Sequence, residues 1–87
     1  MPVISMFFGI IVRMYADDHN PPHVHVSYQG NEAAFTFDGE LISGDLPRKQ
    51  RHMVQGWIAM HEDDLRASWE IAHEGEQPYP KIGRAHV

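Results

Sequence analysis

Three histidines and two aspartates lie within ten residues of the chain, in the segment DDHNPPHVHV at positions 17–26. An imidazole gains and loses protons near neutral pH, so two neighbouring histidines can act as acid and base in cleaving a phosphodiester. Small ribonucleases need little more than this and a cation that holds the phosphate. We therefore take His19, His23 and His25 as candidate catalytic residues for RNA cleavage.

The same segment offers ligands for a metal ion. Three neutral imidazoles and a carboxylate from Asp17 or Asp18 form a plausible set for zinc or iron. A His-x-His pair is weak evidence by itself, and the sequence points to no second ligand group elsewhere. We therefore expect no bound cofactor, and a zinc or iron site is the alternative.

A third interpretation gives the segment a structural or binding role. His19 can close the turn by bonding to the backbone, and the next two histidines can pair with carboxylates on neighbouring strands, such as that of Glu32. The segment then forms a scaffold or a face for a partner protein, with nearby tyrosines as contacts and arginines as cations. The candidate binding residues are Arg13, Tyr15, Asp18, Tyr28 and Arg48.

Composition narrows the class of protein. The chain has 87 residues and a net charge of −5, which argues against a broad nucleic-acid surface, since such a surface needs clustered Lys and Arg. It has no cysteine, which excludes disulfides and thiolate metal sites and suits the cytoplasm. The apolar run at 4–12 is far shorter than the roughly 20 residues that span a bilayer. We expect one small cytoplasmic domain.

The elements that must position the histidines are strands in the first half of the chain. The run VISMFFGIIVRMYA is rich in β-branched and aromatic residues, with a bulge or bend predicted at Gly9. HVHVSY alternates, so His23, His25 and Ser27 are predicted on one face and Val24, Val26 and Tyr28 on the other. QGN and DGE read as turns, and EAAFTF and LISGDL as further strands. These segments predict a meander of four or five strands.

The second half predicts two helices. Pro47 suits the first position of a helix, and Glu62, Asp63 and Asp64 suit the start of another. Apolar side chains recur at helical spacing, with both tryptophans as core residues, and Gly75 is predicted to end the second helix. The fold class is therefore α+β, a small antiparallel β-meander followed by two helices packed on one face. The predicted apolar positions are Met53, Val54, Trp57, Ile58, His61, Leu65, Trp69 and Ala72.

The last six residues, IGRAHV, are the translation of a nucleotide string that resembles a common sequencing-library adapter. The next three bases of that adapter form a stop codon, and the chain ends here. We therefore expect residues 83–87 to be adapter read-through and leave them out of the functional argument. The remaining residues, 1–82, are expected to form a single domain.

Five segments carry a resemblance to a known family. They are ISMFFGIIVRMY, DHNPPHVHVSY, GDLPR, GWIAMHEDDL and WEIA, in that order between Pro2 and about Ile82. Together they resemble the domain of unknown function 4160 family, small proteins of bacteria and archaea. Gly56 and Ser68 depart from the acidic residue and the asparagine that we expect at those positions, and neither lies in the histidine segment.

The resemblance implies a partner but no activity. Members of the family are often encoded beside members of the domain of unknown function 2442 family, in pairs proposed as toxin–antitoxin modules. We therefore expect one component of a two-protein module that acts by protein–protein binding or by His-dependent RNA cleavage. A metal- or ligand-binding regulatory module is the alternative. The expected partners are the neighbouring gene's product and RNA but no membrane, and the oligomeric state stays open.

Overall fold

The computed structural model describes residues 3–15 and 19–73, which form five strands followed by two helices. Each strand pairs in antiparallel fashion with its neighbour in sequence, in the order β1-β2-β3-β4-β5. The predicted α+β fold, a meander followed by two helices, is confirmed. The elements are β1 (Val3–Phe7), β2 (Ile10–Arg13), β3 (His23–Tyr28), β4 (Asn31–Thr36), β5 (Leu41–Gly44), α1 (Arg48–Met60) and α2 (Glu62–His73).

Two-residue turns close the first and third strand pairs. Phe8 and Gly9 have φ angles of 49° and 78°, and Gln29 and Gly30 have 46° and 84°. Positive φ at both central residues marks the type I′ turn, whose twist matches that of paired strands. The predicted turn at QGN is therefore a hairpin. At Gly9 the chain reverses completely, which divides the predicted first run into β1 and β2.

One face of the sheet packs against both helices. Val24 and Val26 of β3 are buried in one cluster with Phe35 of β4 and with both tryptophans. Each such apolar side chain contributes about 1.5–3 kcal/mol to folding when it leaves water. Aromatic contacts join the sheet to the helices in this core, and the ring of Phe7 on β1 stacks on that of Trp57 on α1 at a centroid distance of 5.7 Å. The two tryptophans are therefore core residues, as predicted.

The helices begin close to where the sequence places them. Pro47 is the N-cap of α1, so the helix begins at Arg48, one residue after the predicted first helical position. Helix α2 starts at Glu62, and its first turn carries three acidic residues that favour the positive end of the helix dipole. Neither helix in the described ranges is long and apolar enough to cross a membrane. The predicted stop at Gly75 and the tail at 83–87 lie outside the described residues.

Gly44 allows the end of β5 to approach the backbone of β4 closely, because it has no Cβ. Gly44 has a φ of +66°, and its backbone approaches the carbonyl oxygen of Glu32 so closely that a Cβ has no space there. The next backbone N–H, that of Asp45, donates a hydrogen bond to the same oxygen at 3.1 Å. The end of β5 and the start of β4 are thus fixed relative to each other, which fixes the position of Glu32.

Candidate functional site

Polar side chains gather on the sheet face that is turned away from the two helices. Pairing places Arg13 directly beside His25, and Ser27 directly beside Glu32. His25 and Ser27 project from the same face because they lie two residues apart on one strand. Ser43 of β5 reaches this face as well, opposite Ala34 of β4. We call this surface the open face; it is made by Arg13, His25, Ser27, Glu32 and Ser43.

An open pocket of about 710 Å³ lies on the open face. Its volume falls in the range of sites that hold small molecules or one or two units of a polymer. The lining residues are Arg13, Tyr15, His25, Val26, Ser27, Glu32, Ala33, Ser43 and Gly44.

The guanidinium of Arg13 is positioned by a hydroxyl. Its Nη1 donates a hydrogen bond to Ser27 Oγ at 3.2 Å. Ser27 lies directly across from Glu32 and two residues along the strand from His25, so the partner of the cation neighbours both an imidazole and a carboxylate. Within residues 3–15 and 19–73, neither Arg13 nor Glu32 forms an ion pair. Two opposite charges in one pocket are therefore available to a ligand.

Tyr15 holds the ring of His25. The two ring centroids are 4.6 Å apart and the planes meet at 84°, an edge-to-face contact. Such contacts favour a defined ring orientation and contribute about 0.5–1.5 kcal/mol beyond burial. Both side chains are half-buried and line the pocket, so His25 presents its imidazole to the cavity in a fixed direction.

His23 differs from His25 although both lie on the same strand. It is only 3% exposed, and its Nδ1 lies 2.6 Å from the carbonyl oxygen of Pro21. A carbonyl oxygen can only accept, so Nδ1 is the donor of this hydrogen bond. The ring lies 5.0 Å from that of His25 and 5.6 Å from that of Trp69. His23 therefore supports His25 from the end of the sheet.

The three predicted catalytic histidines form one cluster. The exposed ring of His19 lies 5.8 Å from His23, which in turn contacts His25. Of these three rings, that of His25 lines the pocket. Within the described ranges, no three His, Cys, Asp or Glu side chains are arranged to hold a metal ion. The predicted carboxylate ligands Asp17 and Asp18 lie outside those ranges.

The remaining candidate binding residues separate. Arg13 and Tyr15 line the pocket. Tyr28 is partly buried and packs against the hydrophobic core on the helix side of the sheet. Arg48 is the exposed first residue of α1 and does not line the pocket. Asp18 lies outside the described residues.

Sequence reasoning missed two hydroxyls and underestimated one carboxylate. Ser27 and Ser43 line the pocket but were not candidates, and Glu32 was considered only as a partner for a histidine. The predicted turn at QGN contained the information needed to place Ser27 and Glu32. Counting outward from a two-residue turn pairs Ser27 with Glu32 and His25 with Ala34, which places the carboxylate beside the histidine strand.

Comparison with known proteins gives a family and no activity. A scan against family models matches residues 9–70 to the family described as Domain of unknown function (DUF4160). Neither a search of curated proteins nor one of solved structures finds a match. The matched range holds every residue that lines the pocket and spans well over half of the chain. The chain therefore belongs to the domain of unknown function 4160 family.

Proposed function

We propose that this protein is the RNA-cleaving component of a toxin–antitoxin-like two-protein module, with the pocket on the open face as its active site. One observation carries the proposal: Arg13, Tyr15 and His25 line a single open pocket. An arginine fork binds the oxygens of a phosphate in pairs, and an imidazole transfers protons near neutral pH. A cation and a proton carrier at one site are the minimum for cleaving a phosphodiester.

RNA is the substrate that this set of side chains suits. Its 2′-hydroxyl is a nucleophile already attached to the reacting phosphate, so the protein has only to move protons and stabilise charge. Arg13 holds the non-bridging oxygens, His25 exchanges a proton with a reacting oxygen, and Tyr15 keeps the imidazole oriented. DNA lacks the 2′-hydroxyl and is not cleaved by this route.

The net charge of the protein limits how RNA can bind. At −5, the surface as a whole repels a polyanion, so contacts with phosphate are confined to the pocket. We therefore expect short single-stranded segments to be cleaved and long duplexes to be left intact. We place the reaction in the cytoplasm, where RNA is available and a chain without cysteine is suited to the reducing conditions.

The partner protein, a member of the domain of unknown function 2442 family, is proposed to cover the open face. Met6 and Ile11 lie opposite each other on β1 and β2, and Ile11 lies beside Ser27, so an apolar strip borders the polar pocket. Met6 is 45% exposed. An apolar strip beside accessible polar side chains is the usual composition of an interface core and its rim. We expect Met6→Lys to weaken partner binding while cleavage of RNA continues.

Purified protein without an affinity tag and a fluorescent single-stranded RNA test the activity. We expect cleavage in the presence of a chelator and a loss of about 100-fold in rate for His25→Ala, the usual contribution of a proton-transfer group. His52→Ala is the matched control, because His52 is an exposed residue of α1 that does not line the pocket. An equal rate for His25→Ala and wild type would falsify the proposal. Nucleotide binding without cleavage would favour a ligand-binding regulatory module.

Growth provides the second test. Induced expression of the wild type is expected to arrest growth, and co-expression of the neighbouring gene to relieve the arrest. The His25→Ala protein is expected to leave growth unchanged while it still co-purifies with the partner, because the half-buried His25 lies outside the hydrophobic core and its loss removes the proton carrier. Growth arrest by the His25→Ala protein would exclude this histidine as the source of toxicity.

A further inference from the structure

Glu32 is the one acidic residue in the five described strands, and several contacts fix the position of its backbone. Its backbone is paired with Ser27, its carbonyl oxygen accepts a hydrogen bond from Asp45, and the close approach of Gly44 fixes that oxygen in place. The side chain is exposed and lines the pocket. A rigid backbone thus presents a carboxylate to the same cavity as His25.

Other acidic side chains near an arginine are paired with it. Asp45 lies 3.3 Å from Arg51, and Glu62 lies 2.8 Å from Arg66. Glu32 has the Arg13 guanidinium close by, at Ser27 on the neighbouring strand, yet no ion pair joins them in the described ranges. The carboxylate is therefore available to accept a proton or a hydrogen bond from a ligand.

The geometry fits displacement at phosphorus. His25 and Glu32 are diagonal neighbours on adjacent antiparallel strands, a relationship that separates side chains by roughly 7–8 Å. The Arg13 guanidinium is hydrogen-bonded to Ser27, which is paired with Glu32 and lies two residues from His25. In an in-line displacement the attacking and leaving oxygens lie on opposite sides of the phosphorus, with negative charge on the oxygens between them. Two proton carriers that lie apart from each other, with a cation beside them, match that requirement.

We infer that Glu32 is the general base of the pocket and that His25 is the general acid. This inference rests on the proposed function and deepens it. The Glu32 carboxylate takes the proton of the ribose 2′-hydroxyl as the 2′-oxygen forms a bond to phosphorus. The bond from phosphorus to the 5′-oxygen breaks, and that oxygen takes a proton from the imidazolium of His25. The products are a 2′,3′-cyclic phosphate and a 5′-hydroxyl, and exchange with water restores both side chains.

The assignment defines a substrate class and a product. The substrate is a single-stranded chain with at least one 2′-hydroxyl at the scissile position, and no metal ion or redox partner takes part. A DNA oligonucleotide with one ribonucleotide is therefore sufficient as a probe. We expect cleavage at that nucleotide alone, with a terminal cyclic phosphate that mass spectrometry detects. A linear 3′-phosphate formed without the cyclic product would overturn the inference.

A substrate with a sulfur atom in place of the bridging 5′-oxygen separates the two roles. Thiolate leaves without an acid, so this probe needs a base but no acid. On the ordinary substrate, Glu32→Gln and His25→Ala are each expected to lose about 100-fold in rate. On the sulfur substrate, we expect the His25→Ala protein to approach the wild-type rate and the Glu32→Gln protein to stay slow. Rescue of Glu32→Gln instead would reverse the assignment and overturn it.

Two controls separate an effect on chemistry from one on folding or binding. Glu40→Gln removes an exposed carboxylate outside the pocket and is expected to cleave at the wild-type rate. Glu32→Gln is expected to keep the wild-type melting temperature and the wild-type affinity for a 2′-O-methyl oligonucleotide. If the wild type cleaves and His25→Ala does not, but Glu32→Gln is unchanged, this inference fails and the proposed function stands. If the wild type cleaves no RNA, both fail.

Discussion

The indole ring of Trp69 lies 5.6 Å from the imidazole of His23, so helix α2 reaches the group of histidines that supports the pocket. Trp69 also meets the ring of Phe37 edge-on at 5.9 Å in the core. One side chain therefore belongs both to the hydrophobic core and to the support of the candidate active site.

Trp69→Leu is expected to impair both stability and cleavage. The loss of a buried indole lowers the free energy of unfolding by about 2–4 kcal/mol, measured by urea unfolding. Trp57→Leu is the matched control, because the two tryptophans are 7% and 6% exposed and Trp57 contacts Phe7 on the far side of the core. We expect a similar loss of stability from Trp57→Leu but a smaller loss of RNA cleavage at a temperature where both variants are folded. Equal losses of cleavage would contradict a specific role for the Trp69–His23 contact.

His23→Ala is expected to destabilise the protein. The substitution removes a buried ring and leaves the Pro21 carbonyl oxygen without that donor, which together cost about 2–4 kcal/mol. His52→Ala, at an exposed helical position, is expected to change the free energy of unfolding by less than about 0.5 kcal/mol. Thermal unfolding followed by circular dichroism compares them. A melting temperature for His23→Ala close to that of the wild type would be the contrary result.

Gly44→Ala tests the contact between β4 and β5. A methyl group there meets the Glu32 carbonyl and sits on a backbone with positive φ, so we expect a loss of about 2–4 kcal/mol in the free energy of unfolding. Gly30→Ala also places a side chain on a backbone with positive φ, at +84°, but its Cβ meets open space. The expected loss in the free energy of unfolding is therefore about 1 kcal/mol. The difference between the two variants isolates the steric clash. If both lose the same amount, the close approach at Gly44 is not important for stability.

Gly56→Ala is expected to stabilise the protein. Gly56 is an exposed residue inside α1, and an added Cβ meets no atom within 4 Å apart from its chain neighbours and the backbone of the helix itself. Alanine in a helix interior is favoured over glycine by about 0.8–1 kcal/mol, so the melting temperature should rise by a few degrees. Cleavage of RNA should not change, because α1 packs on the other side of the sheet. A lower melting temperature would contradict the helical assignment at this position.

Tyr15 distinguishes orientation from chemistry. Tyr15→Phe keeps the edge-to-face contact with His25 and is expected to retain cleavage within about twofold, whereas Tyr15→Ala loses the contact and about tenfold in rate. The loss for Tyr15→Ala is expected in kcat more than in KM, because the imidazole is mispositioned while Arg13 still holds the phosphate. A loss for Tyr15→Phe as large as that for Tyr15→Ala would instead assign the chemistry to the phenol.

The strands and helices could be predicted because their signals are local. Alternation in HVHVSY, the turn at Gln29 and Gly30, and the acidic start at Glu62 each depend on a few adjacent residues. The faces of the sheet follow from the same alternation, and Val24 and Val26 are buried on the helix side as expected. Local chemistry was therefore sufficient for the architecture.

The candidate site was predicted only in part because it depends on contacts between distant residues. His23 and His25 project from the same face of β3, but of the two it is His23 that contacts Trp69, a residue 46 positions after it in the chain. Arg13 and Arg48 looked equivalent as cations, and only the pairing of β2 with β3 brings Arg13 beside His25. The pocket also takes residues from β4 and β5, whose pairing has an irregular register. None of these features has a local signal.

The order of the strands has a consequence for how the protein folds. Because every strand pairs with its neighbour in sequence, forming the sheet closes only short loops, and the entropy lost in each closure is small. All residues that line the pocket fall between positions 13 and 44, within this locally connected part of the chain. We therefore expect the strands to pair rapidly, because each one pairs with its neighbour in sequence. We expect the docking of α1 and α2 to be slower. The helices then bury the hydrophobic core after the sheet has already formed the open face.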